Sequence, residues 1–235
     1  MAKTSASSEG LIEDRCKTTP NKPRKGINMN QRILMRIDFQ NDFVHPQGEL
    51  SISDINLIEK HQKFADSLQT GMVDIIIDSY DTHFLQTYNN TLEAKNFPPH
   101  CIFGSWGWQS AAPLKNNIET INIFKSTTNI WNEKNTYQIL AQDWNDKDVY
   151  LCGVLSEICV YQAMKGLLKR GANVIIIEDL CKGINAQVSD ILEHPDFQDV
   201  KENGQLKSIT SAQFFRSQLL NKKIEHNLVY TEKGF

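Results

Sequence analysis

The stretch DVYLCGVLSEICVYQAMKGLLKR, residues 148–170, changes its hydrophobic pattern part-way along. Its first part, from Asp148 to Cys152, is an apolar run typical of a strand buried on both faces. Its second part, from Val160 to Arg170, has the apolar spacing of a helix. Cys159 lies at the junction, near a helix N-terminus that favours a thiolate. The alternative interpretation is a buried cysteine that acts as a small apolar residue.

The alternation of strand and helix recurs along the chain. The predicted strands cover residues 32–39, 73–78, 121–124, 148–155 and 173–179. The predicted helices cover residues 53–71, 136–144, 158–170, 185–193 and 211–221. This order predicts an α/β fold with a doubly wound, mostly parallel central sheet and helices on both faces. Arg36 is unexpected in such a sheet, because the first strand should be buried on both faces.

The composition narrows the class of protein. The chain has 235 residues and a formal net charge of −3 at pH 7, which gives no reason to expect nucleic acid or an anionic membrane as a partner. Its five cysteines form no CxxC pair and no even disulfide framework, so a reducing, cytoplasmic location is predicted. Residues 1–30 predict a flexible N-terminal extension, followed by a single domain at 31–235. The oligomeric state stays open, and a homo-oligomer is compatible with the sequence.

Three reactive side chains fall at the ends of three separate predicted strands: Asp38, Lys125 and Cys159. The carboxyl ends of parallel strands converge on one edge of a sheet, so these side chains should meet there. A carboxylate, an ammonium and a thiol at one place could divide the steps of acyl transfer. Taken singly, Asp38 could be a turn residue and Lys125 a solvated surface lysine. The joint pattern favours chemistry, because the same edge is implicated three times.

A second group of polar residues lies in the long segment 79–119, which has no long periodic element. Asp81 and His83 stand two residues apart just past the second strand, so their side chains point the same way. Glu93 and His100 follow on the same segment. A carboxylate and two imidazoles suit zinc, iron or manganese, and a glutamate would add a ligand. Surface loop residues without a metal are the alternative.

Three motifs resemble those of the isochorismatase-like cysteine hydrolases. The first is Asp38-Phe39-Gln40-Asn41-Asp42-Phe43, followed by Gly48 and Leu50. The second runs from Gly153 to Val160 and has Ser156-Glu157 in place of a usual Thr-Asp. The third, Pro98-Pro99-His100-Cys101 with Gly104, is similar to a segment of the nicotinamidase branch. The resemblance runs from about residue 32 to at least residue 180.

The resemblance implies an isochorismatase-like fold with a catalytic triad of Asp38, Lys125 and Cys159. It implies that the backbone N–H groups of Leu155 and Cys159 hold the oxyanion. The peptide bond that corresponds to Val154–Leu155 is usually cis in the family. For the nicotinamidase branch the resemblance also implies a divalent transition metal that holds the ring nitrogen of a pyridine carboxamide. Zinc is the first choice, with iron or manganese as alternatives, and the implied ligands are Asp81, His83, Glu93 and His100.

The function implied by the resemblance is nicotinamidase-like hydrolysis of nicotinamide, or a related pyridine carboxamide, with release of ammonia through a thioester on Cys159. Phe43, Phe97 and Trp106 are predicted to bind the flat ring of this small-molecule substrate. Leu155 is larger than the residue often found at its position and would reshape the pocket. One alternative is another hydrolase of the superfamily, acting on a different small amide or a ureido compound. The other is a catalytically silent interaction protein.

The histidines outside these groups have no paired partner in the sequence. They are predicted to be surface or loop residues, and they are His45, His61, His194 and His226.

Overall fold

Six parallel strands form the central sheet in the described part of the chain. The computed structural model describes residues 31–91, 93–133, 136, 139 and 141–220. The strands are β1 (Arg32–Ile37), β2 (Ile75–Asp81), β3 (Thr120–Lys125), β4 (Asp148–Val154), β5 (Asn173–Lys182) and β6 (Leu206–Ile209), in the spatial order β3-β2-β1-β4-β5-β6. Every neighbouring pair is parallel, which confirms the predicted fold class. β6 escapes prediction because its four residues are too few to show a period.

Helices connect the strands and cover the sheet. They are α1 (Asn41–Val44), α2 (Ile55–Ser67), α3 (Leu85–Tyr88), α4 (Tyr161–Lys169), α5 (Val188–Leu192), α6 (Gln198–Glu202) and α7 (211–220). In the sheet, the step from β1 to β2 goes in one direction and the step from β4 to β5 goes in the opposite direction. Because both crossover connections are right-handed, α2 and α4 lie on opposite faces of the sheet. Among the described residues, no helix is long and apolar enough to cross a membrane.

Several predicted elements differ from the structure in extent. The helices predicted at 53–71, 158–170 and 185–193 are present but shorter. The helix predicted at 136–144 is wrong over residues 141–144, which are not helical, while residues 137, 138 and 140 lie outside the described part of the chain. The predicted extension at 1–30 and His226 also lie outside it.

The central strands are buried on both faces, as their continuous apolar runs predict. All six residues of β1 are buried, and β4 is buried from Val149 onwards. On one face Phe64 of α2 packs against Phe214 of α7, with ring centroids 5.2 Å apart. On the other face the Trp131 indole donates to carbonyls of α4. Burial of apolar surface, at roughly 25 cal/mol per Å², stabilises the two layers on the sheet and keeps the strand ends in fixed places.

Arg36 is buried in the middle of β1, and its guanidinium is satisfied there. Nε lies 2.8 Å from Asp78 Oδ1 and Nη2 lies 2.5 Å from Asp78 Oδ2 on the neighbouring strand β2. The guanidinium also donates to the Ala112 carbonyl and the Ser110 hydroxyl. Burial lowers the pKa of Arg36, but the charge of Asp78 and its hydrogen bonds more than offset this. The arginine is therefore tolerated in a buried strand, because the bidentate ion pair with Asp78 replaces the hydrogen bonds that the guanidinium makes with water.

His61 is buried in α2, so the prediction of a surface histidine is wrong. The residue is 1% exposed, and its Nε2 lies 2.8 Å from the Leu180 carbonyl of β5. Its ring stacks on Phe39 with centroids 3.5 Å apart. Burial lowers the pKa of His61 to about 3, with a further lowering from the charge of Arg36. The imidazole is therefore neutral, and Nε2 carries the proton that it donates to Leu180.

Candidate active site

Asp38 follows directly after β1 and lies at the carboxyl edge of the sheet. Its φ of 49° is in the left-handed region and turns the chain away from the strand direction. Its backbone N–H donates to the Ser79 carbonyl of β2 (3.1 Å), and the Ser79 hydroxyl donates to Asp38 Oδ1 (2.7 Å). The residue is fully buried. These contacts orient the carboxylate and leave Oδ2 for a partner from another strand.

Lys125 is the last residue of β3 and supplies that partner. Its Nζ lies 2.7 Å from Asp38 Oδ2 and 3.0 Å from the Thr127 carbonyl. The side chain reaches over the end of β2, where Nζ is 3.6 Å from Asp81 Oδ1. The structure thus brings together two side chains from strands that are not neighbours in the sheet.

Cys159 lies in a wide π-helical turn, Ser156–Val160, that joins β4 to α4. The N–H groups of Ile158 and Val160 both donate to the Leu155 carbonyl at 3.1 Å. The half-buried Cys159 has its Sγ 3.8 Å from Lys125 Nζ, and the Val154–Leu155 peptide bond is cis. Lys125 therefore contacts both the candidate nucleophile and the candidate base.

The buried charges change the acid–base behaviour of this group. Burial raises the pKa of Asp38, although Lys125 opposes the shift. Burial also raises the pKa of the Cys159 thiol well above its ordinary value, and Lys125 offsets this only in part. Burial lowers the pKa of Lys125, but Asp38 and Cys159 more than compensate and hold it well above the ordinary value. The charge of Asp38 therefore favours the charged form of Lys125, while burial opposes the thiolate of Cys159 that a nearby helix N-terminus favours.

Asp81, His83, Glu93 and His100 form a second group beside the first. Asp81 ends β2, and Glu93 begins a short 3₁₀ turn, Glu93–Lys95. His83 Nε2 lies 3.0 Å from Asp81 Oδ2 and 3.1 Å from Glu93 Oε2. His100 Nε2 lies 3.2 Å and 3.5 Å from the same two oxygens. One donor atom from each of the four residues lies within 4.8 Å of all the others.

This donor set fits a transition metal. Ligand atoms at about 2.0–2.2 Å from one metal ion lie roughly 3.0–3.6 Å apart, close to the distances between these imidazoles and carboxylates. Two imidazoles and two carboxylates suit zinc, iron or manganese. His100 Nδ1 contacts the Pro98 carbonyl (2.9 Å) and the Tyr88 hydroxyl (3.1 Å), so its other nitrogen is turned towards the carboxylates. Cys101, the neighbour of His100, is not part of the group.

Two side chains of the first motif hold the second group in place. Gln40 Nε2 donates to the Asp81 carbonyl (2.8 Å), and Gln40 Oε1 accepts from the Asp81 N–H (2.7 Å). Asp42 Oδ2 accepts from the N–H of Cys101 (2.6 Å). These contacts were not predicted from the sequence. Their partners are backbone groups, which every residue has, so no residue type at the partner position indicates them. The spacing of two between Asp38, Gln40 and Asp42 is the one signal that could have indicated them.

A cavity of about 170 Å³ opens beside both groups. Lys125 and Cys159 line it from one group, and Asp81, Glu93 and His100 line it from the other. The cavity is therefore a place where one small molecule could contact the thiol and the four-residue group together.

The predicted substrate-binding aromatics divide into two sets. Phe43 and Phe97 line the cavity. Trp106 is not among the lining residues: it is 45% exposed, and its ring lies edge-on to His45 with centroids 4.9 Å apart. Trp106 lies in a loop whose course depends on distant contacts, such as the bond from Asn41 to its carbonyl, so its aromatic character alone was misleading.

Four apolar residues of the cavity were not predicted to line it: Leu50, Val154, Ile158 and Ile184. Leu50 belongs to the first motif and Ile158 precedes Cys159, so proximity to the motifs was the available signal. Ile184 follows β5, and nothing in the sequence connects it with Cys159.

This constellation lies in the part of the chain that a family model matches. The model of the isochorismatase domain matches residues 32–191. The protein belongs to the isochorismatase family, whose members are hydrolases. A comparison with curated proteins gave no match.

Solved structures share the fold at low sequence identity. The nicotinamidase/pyrazinamidase of Bacillus subtilis is 18% identical, with a TM-score of 0.58 over 76% of this chain and 98% of that one. The pyrazinamidase of Pyrococcus horikoshii in complex with zinc is 22% identical, with a TM-score of 0.58 over 77% and 99% of the two chains. The N-carbamoylsarcosine amidase of Thermoplasma acidophilum is 18% identical, with a TM-score of 0.55 over 77% and 96%. These similarities establish the fold.

Proposed function

We propose that the protein is a metal-assisted cysteine amidohydrolase that converts nicotinamide, or a closely related pyridine carboxamide, to its acid and ammonia. The observation that carries the proposal is the position of Asp81 between the two groups. Asp81 Oδ2 lies near both histidines, while Asp81 Oδ1 lies 3.6 Å from Lys125 Nζ. A molecule with a ring nitrogen at one end and an amide at the other would reach both groups from one cavity.

The cavity walls support an aromatic amide. Phe43 and Phe97 offer rings against which a flat heterocycle could pack. An anionic ureido acid would need a cation for its carboxylate. Among the described residues that line the cavity, the basic ones are Lys125, already paired with Asp38, and His100 of the candidate metal group. This lining favours a neutral carboxamide over an anionic ureido substrate.

The residues of the first group suit acyl transfer through a thioester. Asp38 takes the proton from Cys159 as Sγ attacks the amide carbonyl carbon, and Lys125 balances the negative charge of the pair. The raised pKa of Asp38 makes it a stronger base for this step than an ordinary carboxylate. The N–H groups of Leu155 and Cys159 would hold the oxyanion, an interaction worth roughly 3–4 kcal/mol for one donor in other enzymes.

The second half of the reaction returns the site to its starting state. Asp38 gives its proton to the departing nitrogen, the carbon–nitrogen bond breaks, and ammonia leaves. Asp38 then accepts a proton from water, whose oxygen attacks the thioester carbon. The carbon–sulfur bond breaks, the acid is released, and the proton returns from Asp38 to Cys159. A divalent metal held by Asp81, His83, Glu93 and His100, with zinc as the first choice, would supply a Lewis-acidic site for the ring nitrogen.

Ammonia release from nicotinamide tests this function. We expect Cys159→Ala to lower kcat/KM by at least about 10³-fold, because the attacking atom is lost. Cys181→Ala is the matched control, since Cys181 is a free thiol in β5 that does not line the cavity. Full activity in Cys159→Ala would overturn the nucleophile assignment.

The metal is tested separately. We expect purified protein to contain about one transition-metal ion per chain, and chelation followed by re-addition of zinc, iron or manganese to abolish and then restore ammonia release. Full activity in protein shown by elemental analysis to be free of transition metal would favour a different amide substrate that does not use the four-residue group.

A further inference from the structure

We propose that Ile184 selects amides with a flat, apolar body, and that Glu157 is the positioning residue that holds Ile184 at the cavity. The inference rests on the proposed amide hydrolysis and extends it to the residue pair that decides which amides enter.

Ile184 lies at the mouth of the cavity that contains Cys159. It lines this cavity and is nevertheless 63% exposed. It follows β5, which ends at Lys182, and is separated from Cys159 by 25 positions in the sequence. When an apolar ligand covers a large aliphatic side chain in this position, the apolar surfaces of both are removed from water, and this burial favours binding. Ile184 is therefore placed to favour substrates that present an apolar surface at the mouth.

Glu157 ties this segment to the turn that carries the nucleophile. Its Oε1 accepts from the Ile184 N–H (2.9 Å) and from the Asn185 N–H (2.8 Å). Glu157 lies two residues before Cys159 in the turn Ser156–Val160. Two bonds from consecutive N–H groups to one carboxylate oxygen fix the backbone direction at Ile184. Glu157 thus links the position of Ile184 directly to the turn that carries Cys159.

Gly183 gives independent evidence for this close approach. A Cβ at Gly183 would overlap the Glu157 carboxylate and the Ala186 carbonyl. Glu157 Oε2 is buried and has no hydrogen-bond partner among the described residues. It lies in the space that a Cβ at position 183 would fill. The absence of a side chain at position 183 is what lets the carboxylate reach the two N–H groups.

The first test is kinetic and uses two amides. For Ile184→Ala we expect KM for nicotinamide to rise about tenfold, the size of a lost apolar contact of modest area, while kcat stays within about twofold. KM for propionamide, which has no ring to cover Ile184, should stay within about twofold. Leu219→Ala is the matched control, because Leu219 is an equally apolar, 55% exposed residue outside the cavity. A fall in kcat without a change in KM would overturn the role of Ile184.

The second test asks whether Glu157 acts through Ile184. We expect Glu157→Ala to reproduce the KM effect of Ile184→Ala, and the double variant to be no worse than either single variant. Glu157→Gln keeps the accepting oxygen and should recover a KM within about threefold of the wild type. Additive effects in the double variant, or a Glu157→Gln as impaired as Glu157→Ala, would overturn the positioning role.

The third test does not require amide hydrolysis. Cys159 is alkylated with iodoacetamide and with N-phenyl-iodoacetamide, and the modified peptide is quantified by mass spectrometry. We expect the ratio of the aromatic rate to the small-reagent rate to fall about tenfold in Ile184→Ala and Glu157→Ala, with no change in Leu219→Ala. An unchanged ratio overturns the inference. A lowered ratio in a protein that does not hydrolyse nicotinamide supports the inference and overturns only the proposed substrate.

Discussion

Lys125 and Asp38 are both buried, and each is the other's closest opposite charge at the sheet edge. Nζ also contacts the Thr127 carbonyl and lies near Asp81, so its charge is met on several sides. Removal of one member of a buried ion pair leaves the other charge without a partner, which costs far more than the pair contributes when intact. The two residues therefore affect stability as well as chemistry.

At the residue scale this predicts a separation of stability from activity. We expect Lys125→Met to lower the free energy of unfolding by roughly 3–5 kcal/mol, because Asp38 is left buried and unpaired. The double variant Asp38→Asn/Lys125→Met should recover at least half of that loss, since neither buried charge remains. Both variants should release no ammonia from nicotinamide.

Urea unfolding measures the first quantity and an ammonia assay the second. A double variant no more stable than Lys125→Met would show that lost packing, and not the unpaired carboxylate, causes the destabilisation.

At the scale of elements, Gln40 connects the segment after β1 with the end of β2. Its amide bonds both backbone groups of Asp81 and also donates to the Trp108 carbonyl (3.0 Å). The loop that carries Trp108 and the end of β2 are thereby held by one side chain. The candidate metal group depends on this link, because Asp81 is the residue that both histidines approach.

The element-scale prediction concerns metal affinity. We expect Gln40→Ala to weaken metal binding by about tenfold or more, since the residues that orient a ligand commonly contribute this much. Competition with a chromophoric chelator measures the affinity without reference to catalysis. Gln62→Ala is the control, because Gln62 is half-buried on α2, away from the four-residue group, and its side chain bonds Asp66. Equal affinities in Gln40→Ala and the wild type would contradict the role of Gln40.

At the scale of the whole molecule, His61 connects α2 to the sheet through its hydrogen bond to the Leu180 carbonyl of β5. Its pKa is lowered from the ordinary 6.5 to about 3, chiefly by burial. Below pH 6.5 the unfolded chain binds a proton at His61 that the folded chain does not bind. The free energy of unfolding therefore falls as the pH falls from about 6.5 to about 3, by up to about 1.4 kcal/mol per pH unit from this group.

The whole-molecule prediction is a pH-dependent difference between variants. His61→Gln can keep a donor to the Leu180 carbonyl but has no proton to gain. Between pH 6 and pH 4 we expect the stability of the wild type relative to His61→Gln to fall by about 1.4 kcal/mol per pH unit in urea unfolding. A constant difference between wild type and His61→Gln would show that His61 is protonated in the folded protein.

Prediction from the sequence succeeded where the signal is local. The apolar runs of β1, β2, β4 and β5 and the periodicity of α2 and α4 are properties of short stretches, and they were sufficient for the fold class. Prediction failed for β6, which is too short to show a period, and for residues 141–144, where an apparent period is not helical. Buried polar residues were also misjudged, because His61 and Arg36 are satisfied by Leu180 and Asp78 from other elements.

Much of the candidate site was open to prediction for a topological reason. Parallel strands place their carboxyl ends at one edge, so Asp38, Lys125 and Cys159 could be grouped before their contacts were known. Trp106, Ile184 and Gln40 could not be judged in this way. Their places depend on loops whose course is set by contacts between distant residues.

The sequence by itself determined the order of strands and helices, because hydrophobic periodicity is a property of short stretches of chain. It also determined which reactive residues lie at the strand ends, because parallel strands place their carboxyl ends at one edge of the sheet. Only the tertiary structure decided the distances within the two groups, the raised pKa of Cys159, the position of Trp106 outside the cavity lining and the contact of Glu157 with the segment of Ile184. These depend on burial and on contacts between residues far apart in the chain, and no local pattern encodes them.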